Sequence, residues 1–129
     1  MVLHCNEAFV TLAAPQLEIL VEFYTDLLGI QPLKLIPHRY AEFQLPSLKL
    51  GIFQPKSTQI SEFNSLGKTG MSLCLEVPNL EAAIAHLDVL GYLPPGEIMT
   101  ASHGREIYAY DPIGNRLILY EIRDNFSSQ

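Results

Sequence analysis

The chain has 129 residues, of which 48% are hydrophobic and 17% charged, a composition that excludes an intrinsically disordered protein and suits one folded domain, 1–129. Fourteen acidic residues against eight Lys and Arg give a formal charge of −6, so the long-range field repels phosphate backbones and anionic membranes. No apolar run has the length of a membrane span, and we expect neither nucleic acid nor a membrane as a partner.

The first half of the chain predicts a strand, a helix and three more strands. Residues 9–13 are rich in β-forming types, and Pro15 then opens a helix whose apolar positions recur every three or four residues up to Gly29. Glycine at that point suits a left-handed helix end. Three short strands follow, at about 33–36, 39–44 and 48–53. The order βαβββ makes 7–54 a first module.

The second half repeats the same order after a polar connector, 55–70. The second module, 71–123, begins with a strand at 72–77, and Asn79 then caps a helix that ends at Gly91. Its last three strands are predicted at 97–99, 106–110 and 116–122.

Two motifs identify the kind of fold. The first helix ends in Phe-Tyr-Thr-Asp-Leu-Leu-Gly, residues 23–29, and the second ends in the same manner at 86–91. A tight hairpin, Asp-Pro-Ile-Gly-Asn at 111–115, leads into the last strand. Together with the two βαβββ copies, these motifs resemble the vicinal oxygen chelate superfamily, which includes glyoxalases, extradiol dioxygenases and bleomycin resistance proteins.

The resemblance implies an α+β fold in which two βαβββ modules form paired mixed sheets around a cleft. In this superfamily the cleft is the active or binding site, and a homodimer is expected. The sequence leaves open whether the paired modules come from one chain or are exchanged between two chains.

The resemblance also implies positions for a divalent metal, because the superfamily's metal enzymes use His or Gln on the first strand and Glu on the last strand of each module. Alignment through the motifs places these positions at Phe9, Gly51, Ser72 and Ile118, none of which can hold a metal in the usual way. Glu121 lies an odd number of residues beyond Ile118, so it should point to the other face of the sheet. We therefore expect no metal and no cofactor.

Strand alternation predicts which side chains face the cleft. The inward set is Phe9, Thr11, Ala13, Lys49, Gly51, Phe53, Ser72, Cys74, Glu76, Arg116, Ile118 and Tyr120. Such a mixture of apolar, aromatic and polar groups suits a pocket for a small aromatic or acyl molecule. Several of these residues also have an ordinary structural interpretation: Phe9, Phe53 and Ile118 as core packing, Cys74 as an inert buried thiol, and Lys49 and Arg116 as solvated strand ends.

The loops and the seventh strand add further candidates. His103 and Arg105 precede a strand at the border of the cleft, where Arg105 or Arg39 could hold a carboxylate, although loop histidines and arginines are commonly only solvated. Tyr108 shares a strand face with Tyr110 and Glu106, which could orient a ligand if that face is inward. From these loops and strands we include His103, Arg105 and Tyr108 among the ligand-binding residues, and we assign no catalytic residue.

The leading hypothesis is a metal-independent small-molecule binding protein of the glyoxalase and bleomycin resistance type. One alternative is a lyase, epimerase or dioxygenase type of enzyme with a metal-free acid/base site or a metal held by residues such as Cys74, Glu76 or His103. Another is an interaction module whose cleft is filled by its own side chains. The two cysteines, Cys5 and Cys74, argue against a disulfide framework, and the N-terminus has no signal-peptide pattern, so we expect a cytoplasmic protein.

Overall fold

The computed structural model describes residues 2–63, 69–102 and 104–122, and the chain divides into two compact units, Met1–Asn64 and Ser65–Gln129. Each unit has the predicted βαβββ order around one four-stranded mixed sheet, which confirms the α+β class. His103 and residue 123, which the sequence analysis included in the second module, lie outside the described residues.

The first unit contains one sheet, one long helix and a single-turn helix. Its elements are β1 (Val10–Ala13), α1 (Leu17–Leu28), β2 (Lys34–Ile36), β3 (Tyr40–Leu45), β4 (Leu48–Phe53) and α2 (Ile60–Phe63). The strands lie in the order β1-β4-β3-β2, with β1 parallel to β4 and the other pairs antiparallel.

The second unit repeats this topology. Its elements are β5 (Leu73–Glu76), α3 (Leu80–Leu90), β6 (Met99–Ala101), β7 (Gly104–Tyr110) and β8 (Arg116–Ile122). The order is β5-β8-β7-β6, and only β5 and β8 are parallel. Within the described residues, no helix has the length and apolar character needed to cross a membrane.

The helix boundaries follow from local chemistry. The side chain of Asn79 accepts a hydrogen bond from the amide of Ala82 at 2.9 Å and so caps the start of α3. Gly29 ends α1 with a φ of 67°, a conformation that glycine adopts without steric cost, and its amide donates to the carbonyl of Thr25. Both boundaries agree with the sequence prediction.

Each sheet packs one face against its own helix. In the first unit α1 contacts β3 and β4, and the side chains on that side are fully buried: Ala41, Phe43, Leu50 and Ile52. In the second unit α3 contacts β8, whose Leu117 and Leu119 are buried. We call the face turned away from the unit's own helix the distal face. Within the strands the predicted alternation is confirmed, because the register places the predicted inward residues of β1, β4, β5 and β8 on these distal faces. Phe9 and Ser72 lie just before β1 and β5, outside the register.

Three local predictions were wrong. The sixth strand occupies Met99–Ala101 rather than 97–99, because its position is set by pairing with β7 and not by local composition. The predicted connector contains α2, a single turn that is too short to leave a periodic pattern. Cys74 is an exposed thiol rather than a buried one.

Candidate functional site

On the first distal face two polar side chains, Thr11 and Glu42, lie on either side of a glycine. Thr11 on β1 pairs with Gly51 on β4, and Gly51 pairs with Glu42 on β3. The neighbouring row contains Phe53 opposite Tyr40. Because paired residues share a face, these side chains form one continuous surface on a rigid sheet.

A buried carboxylate dominates this surface. Glu42 is only 5% exposed, and its Oε1 accepts a hydrogen bond of 2.8 Å from the hydroxyl of Tyr40. Its Oε2 is buried and has no hydrogen-bond partner among the described residues. An unsatisfied buried polar atom costs on the order of 1–3 kcal/mol, so it calls for a functional or structural explanation.

The ring of Tyr40 lies over Gly51, in space that a side chain at position 51 would fill. A Cβ on Gly51 would lie 2.8 Å from the hydroxyl oxygen of Tyr40 and 3.2 Å from the methyl of Thr11. Burial, followed by the hydrogen bond to Glu42, raises the pKa of Tyr40 to about 12. The phenol is therefore a protonated donor at neutral pH, and it occupies the space above Gly51.

Lys49 lies at the solvent edge of this cluster. Its ammonium donates to Oε2 of Glu7 at 3.0 Å and lies 3.6 Å from Oε2 of Glu42, beyond hydrogen-bond distance. The bond to Glu7 raises the pKa of Lys49, so this side chain is charged at neutral pH. Lys49, predicted as a ligand contact, is thus already paired within the chain.

The second distal face has the same register with different chemistry. Cys74 pairs with Ile118, and Ile118 pairs with Tyr108, which is 39% exposed. In the adjacent row Tyr120 lies between Glu76 and Glu106. By register, Tyr108 occupies the position of Glu42 in the first unit, and Glu106 occupies that of Tyr40. Each sheet therefore has a tyrosine and a glutamate two residues apart, with the two residue types exchanged.

Arg116 and Ser72 bind each other. The guanidinium donates from Nε to the Ser72 hydroxyl at 2.6 Å and from Nη2 to the carbonyls of Thr69 and Met71 at 2.7 and 3.3 Å. Its contacts in this structure therefore join the start of β5 to β8, whereas the sequence analysis predicted a contact with a ligand.

Arg105 belongs to the opposite side of the second sheet. It pairs in register with Glu121, on the face that carries Leu117 and Leu119. Its guanidinium binds both oxygens of Glu81 at 2.6 and 2.7 Å and donates twice to Glu121, at 2.9 and 3.2 Å. These bonds raise the pKa of Arg105, and the predicted role in holding a ligand carboxylate is not the one this geometry favours.

Glu121 faces away from the distal side, as the odd step from Ile118 predicts. It accepts the amide of Leu80, the first residue of α3, at 2.9 Å. That bond, together with Arg105, lowers the pKa of Glu121. The carboxylate in the last strand therefore anchors a helix.

Three further residues of the first unit that were predicted to bind a ligand are either packed against an aromatic ring or exposed. Phe53 packs edge-on against Phe63 of α2, with ring centroids 5.1 Å apart. This contact is ordinary aromatic packing and covers part of the Phe53 ring. Phe9 lies just before β1 and is 44% exposed, and Thr11 is exposed on the first distal face.

The residues at the expected metal positions do not fit a divalent cation. They offer a phenyl ring at Phe9, no side chain at Gly51, a hydroxyl at Ser72 that is bound to Arg116, and a hydrocarbon at Ile118. In the part of the chain that the structure describes, no three His, Cys, Asp or Glu side chains are grouped so that they could hold a metal ion.

The sequence did not single out Tyr40 and Glu42, which both lie within the predicted strand 39–44. A charged residue at an alternate strand position is typical of a solvated face, so Glu42 carried no signal of its own. One signal was present: Gly51 in the facing strand leaves room for a large neighbour.

No protein-family model and no curated protein matches this sequence. Solved structures do match. A glyoxalase-related enzyme from Fulvimarina pelagi is 20% identical with a TM-score of 0.69, over 91% of this chain and 88% of that chain. A glyoxalase/bleomycin resistance protein from Catenulispora acidiphila is 21% identical with a TM-score of 0.66, over 90% of this chain and 97% of that chain.

The fosfomycin resistance protein FosX from Listeria monocytogenes, in complex with Mn(II) and 1S,2S-dihydroxypropylphosphonic acid, is 16% identical with a TM-score of 0.70, over 92% of this chain and 90% of that chain. These similarities confirm that the chain has the fold of the vicinal oxygen chelate superfamily, as its motifs indicate. The three neighbours differ in their described roles, so the activity must be argued from the residues of this chain.

Proposed function

We propose that this protein binds a small aromatic or acyl molecule without a metal, using the first distal face as its principal binding surface. The observation that carries the proposal is the arrangement at Gly51. The resemblance places a metal-binding carboxylate of the superfamily's enzymes at the position of Gly51. This chain has no side chain there, and the hydroxyl of Tyr40, which donates to Glu42, lies above it. Aromatic and polar groups of this kind orient small ligands.

The test has two parts. Untagged protein, purified without chelators, is analysed by mass spectrometry for nickel, zinc, iron and manganese, and we expect less than stoichiometric amounts of each. A thermal-shift screen of aromatic, acyl and thiol compounds should then raise the melting temperature for a subset. A stoichiometric metal, or no stabilisation by any compound in the screen, would contradict the proposal.

A second candidate function is metal-free proton transfer. It is favoured by the contact between a protonated phenol and a carboxylate, which can serve as acid and base at one site. Under this alternative a substrate is turned over, and Glu42→Gln abolishes turnover while the far-UV circular dichroism of the variant stays unchanged. Unchanged turnover in that variant would remove Glu42 from the chemistry.

We also propose a homodimer and a cytoplasmic location. The dimer is supported by the exposed apolar side chains Leu33, Leu35 and Ile36 at the edge strand β2. The location is supported by two cysteines that form no disulfide, which suits a reducing compartment.

A further inference from the structure

One carboxylate oxygen of Glu42 receives no hydrogen bond from the residues that the structure describes. Tyr40 takes Oε1, whereas Oε2 has no hydrogen bond among the described residues. The nearest cation, the ammonium of Lys49, stops 3.6 Å away and makes its hydrogen bond to Glu7 instead. Glu42, which is 5% exposed, is thus held by a hydrogen bond at Oε1, while Oε2 lies in a 3.6 Å ion pair with Lys49 and can still accept a hydrogen bond.

The cluster is rigid on one side and adjustable on the other. Glu42 and Gly51 are paired in the middle of the sheet, where the backbone is fixed by neighbours on both sides. Lys49 and Glu7 have side chains that are 24% and 61% exposed, so their rotation is the movement that would open Oε2 without displacing a strand.

The charges around Oε2 limit what can approach it. Glu7 and Glu42 contribute two negative charges and Lys49 one positive charge, so these three groups sum to −1. A second anion placed against Oε2 would be repelled, while a neutral or cationic N–H or O–H group would supply the missing hydrogen bond.

We infer that Oε2 of Glu42 is the specificity-determining acceptor of the binding surface, and that the ligand is a neutral or cationic molecule that presents an alcohol, amide or amine donor to it. This inference rests on the proposed binding function and narrows its ligand class. It selects against molecules whose carboxylate or phosphate would occupy the same point.

The test uses three probes of similar size that differ in one group: benzylamine, benzyl alcohol and benzoate. Each is titrated into ¹⁵N-labelled protein, and binding is followed by amide chemical shifts. We expect the amine and the alcohol to bind with dissociation constants at least about tenfold lower than that of benzoate, with the largest shifts at residues 40–42 and 49–51.

Glu42→Gln should reduce the preference for benzylamine over benzoate by about tenfold, because the neutral amide keeps the size of the side chain and loses its charge. Glu97→Gln removes an exposed carboxylate outside this cluster and should leave the ranking unchanged. If Glu42→Gln does not fold, Glu42→Asp, which keeps the charge and withdraws the oxygen, should weaken all donor probes alike. The order of affinities for the three probes is measured in the wild-type protein, so that part of the test does not depend on whether a variant folds.

Equal affinity for the three probes, shifts confined to other surfaces, or a ranking that Glu42→Gln does not alter would overturn the inference while leaving the proposed binding function in place. A crystal structure in which an ordered water holds Oε2 and no donor probe displaces it would also overturn it. If neither the probes nor the compounds of the thermal-shift screen bind, both the inference and the proposed function fail.

Discussion

At the scale of single residues, Tyr40 shows how one hydrogen bond and burial alter the chemistry of a side chain. Its pKa is raised from 10.0 to about 12, so the protonated phenol favours the folded state. This contribution to stability is complete below about pH 10 and is lost as the pH rises through 12, because the unfolded chain then releases a proton that the folded chain still holds.

An absorbance titration of tyrosinate in the wild-type protein and in Tyr40→Phe measures this prediction directly. The chain has six tyrosines, so the difference between the two curves isolates one phenol. We expect a midpoint near 12, and circular dichroism at each pH serves as the control for unfolding. Glu42→Gln should move the midpoint downwards. A difference curve centred at 10 in the folded protein would contradict the geometry described here.

Gly51 provides a second prediction at this scale. In Gly51→Ala the new methyl would approach the Tyr40 hydroxyl oxygen to 2.8 Å, so the ring must move and its bond to Glu42 is lost. We expect the free energy of unfolding to fall by about 1–3 kcal/mol in urea denaturation. Gly96→Ala is a matched control, because among the described residues no atom beyond its two chain neighbours lies within 4 Å of the added methyl. Equal stability of the two variants would show that Tyr40 moves at no cost.

How far the sequence predicts a residue's role depends on whether that role is local. The orientation of Glu121 follows from strand alternation alone, and it is confirmed by the hydrogen bond to Leu80. The partners of Arg105 are 16 and 24 positions away, and no local pattern identifies them. Tyr40 lies only two positions from Glu42, but Gly51, which leaves room for its ring, and Lys49 lie on the neighbouring strand. The site was therefore predictable as a face of the sheet and not as a set of interacting groups.

At the scale of secondary-structure elements, Glu121 and Arg105 fix α3 to its sheet. Glu121 receives the first amide of the helix, and Arg105 joins Glu121 to Glu81 in the first turn. The pKa of Glu121 is lowered from the ordinary value of 4.5, so its contribution to stability is present above that pH and is lost as the pH falls through the lower, folded value.

Glu121→Gln should therefore have a melting temperature clearly below that of the wild-type protein at pH 7. The difference should shrink below about pH 4.5, where the carboxylate begins to protonate in the unfolded chain while it is still ionised in the folded one. Thermal unfolding followed by circular dichroism across pH 3–7 measures both effects. Glu97→Gln removes an exposed carboxylate elsewhere and should follow the wild-type curve. A difference that is constant with pH would mean that the charge of Glu121 does not stabilise the helix.

The hairpin between β7 and β8 depends on Asp111. This aspartate is 3% exposed, and its carboxylate accepts the amides of Ile113 and Asn115 at 3.0 Å and the side-chain amide of Asn115 at 2.7 Å. Asp111→Ala leaves these donors unsatisfied, and we expect a loss of about 2–4 kcal/mol in the free energy of unfolding. Asp88→Ala, at an exposed position of α3, should change stability by less than about 0.5 kcal/mol. Similar values for both variants would refute the role of Asp111.

Elements with strong local signals were predictable, and those set by their neighbours were not. The bounds of β4 and β8 agree with the prediction because each is an apolar run between turn residues. The strand β6 has only three residues and lies at a sheet edge, so its pairing with β7 decides where it forms.

At the scale of the whole molecule, the repeated helix ending and the hairpin motif were enough to predict the two-module fold. Such motifs reflect backbone requirements, for example the left-handed glycines that end α1 and α3 with φ values of 67° and 94°. Function depends instead on a few side chains, which a shared fold leaves free to differ.

The edge strand β2 is exposed along its whole length and contains one charged residue, Lys34. Its other two residues are apolar, with Leu35 53% and Ile36 49% accessible, and Leu33 beside it is 60% accessible. Native proteins usually cover or charge such an apolar edge, because its free backbone groups and side chains favour association. In the proposed homodimer, a second copy of the chain covers this edge.

Light scattering coupled to size-exclusion chromatography should therefore give about twice the chain mass of 14.4 kDa. Leu35→Lys places a charge on this edge and should shift the protein towards the monomer, since burying an unpaired ammonium at an interface is costly. Val89→Lys makes a comparable change at a position of α3 that is 83% exposed and should leave the mass unchanged. A wild-type mass of one chain would refute the dimer, and a dimer that persists in Leu35→Lys would place the interface away from β2.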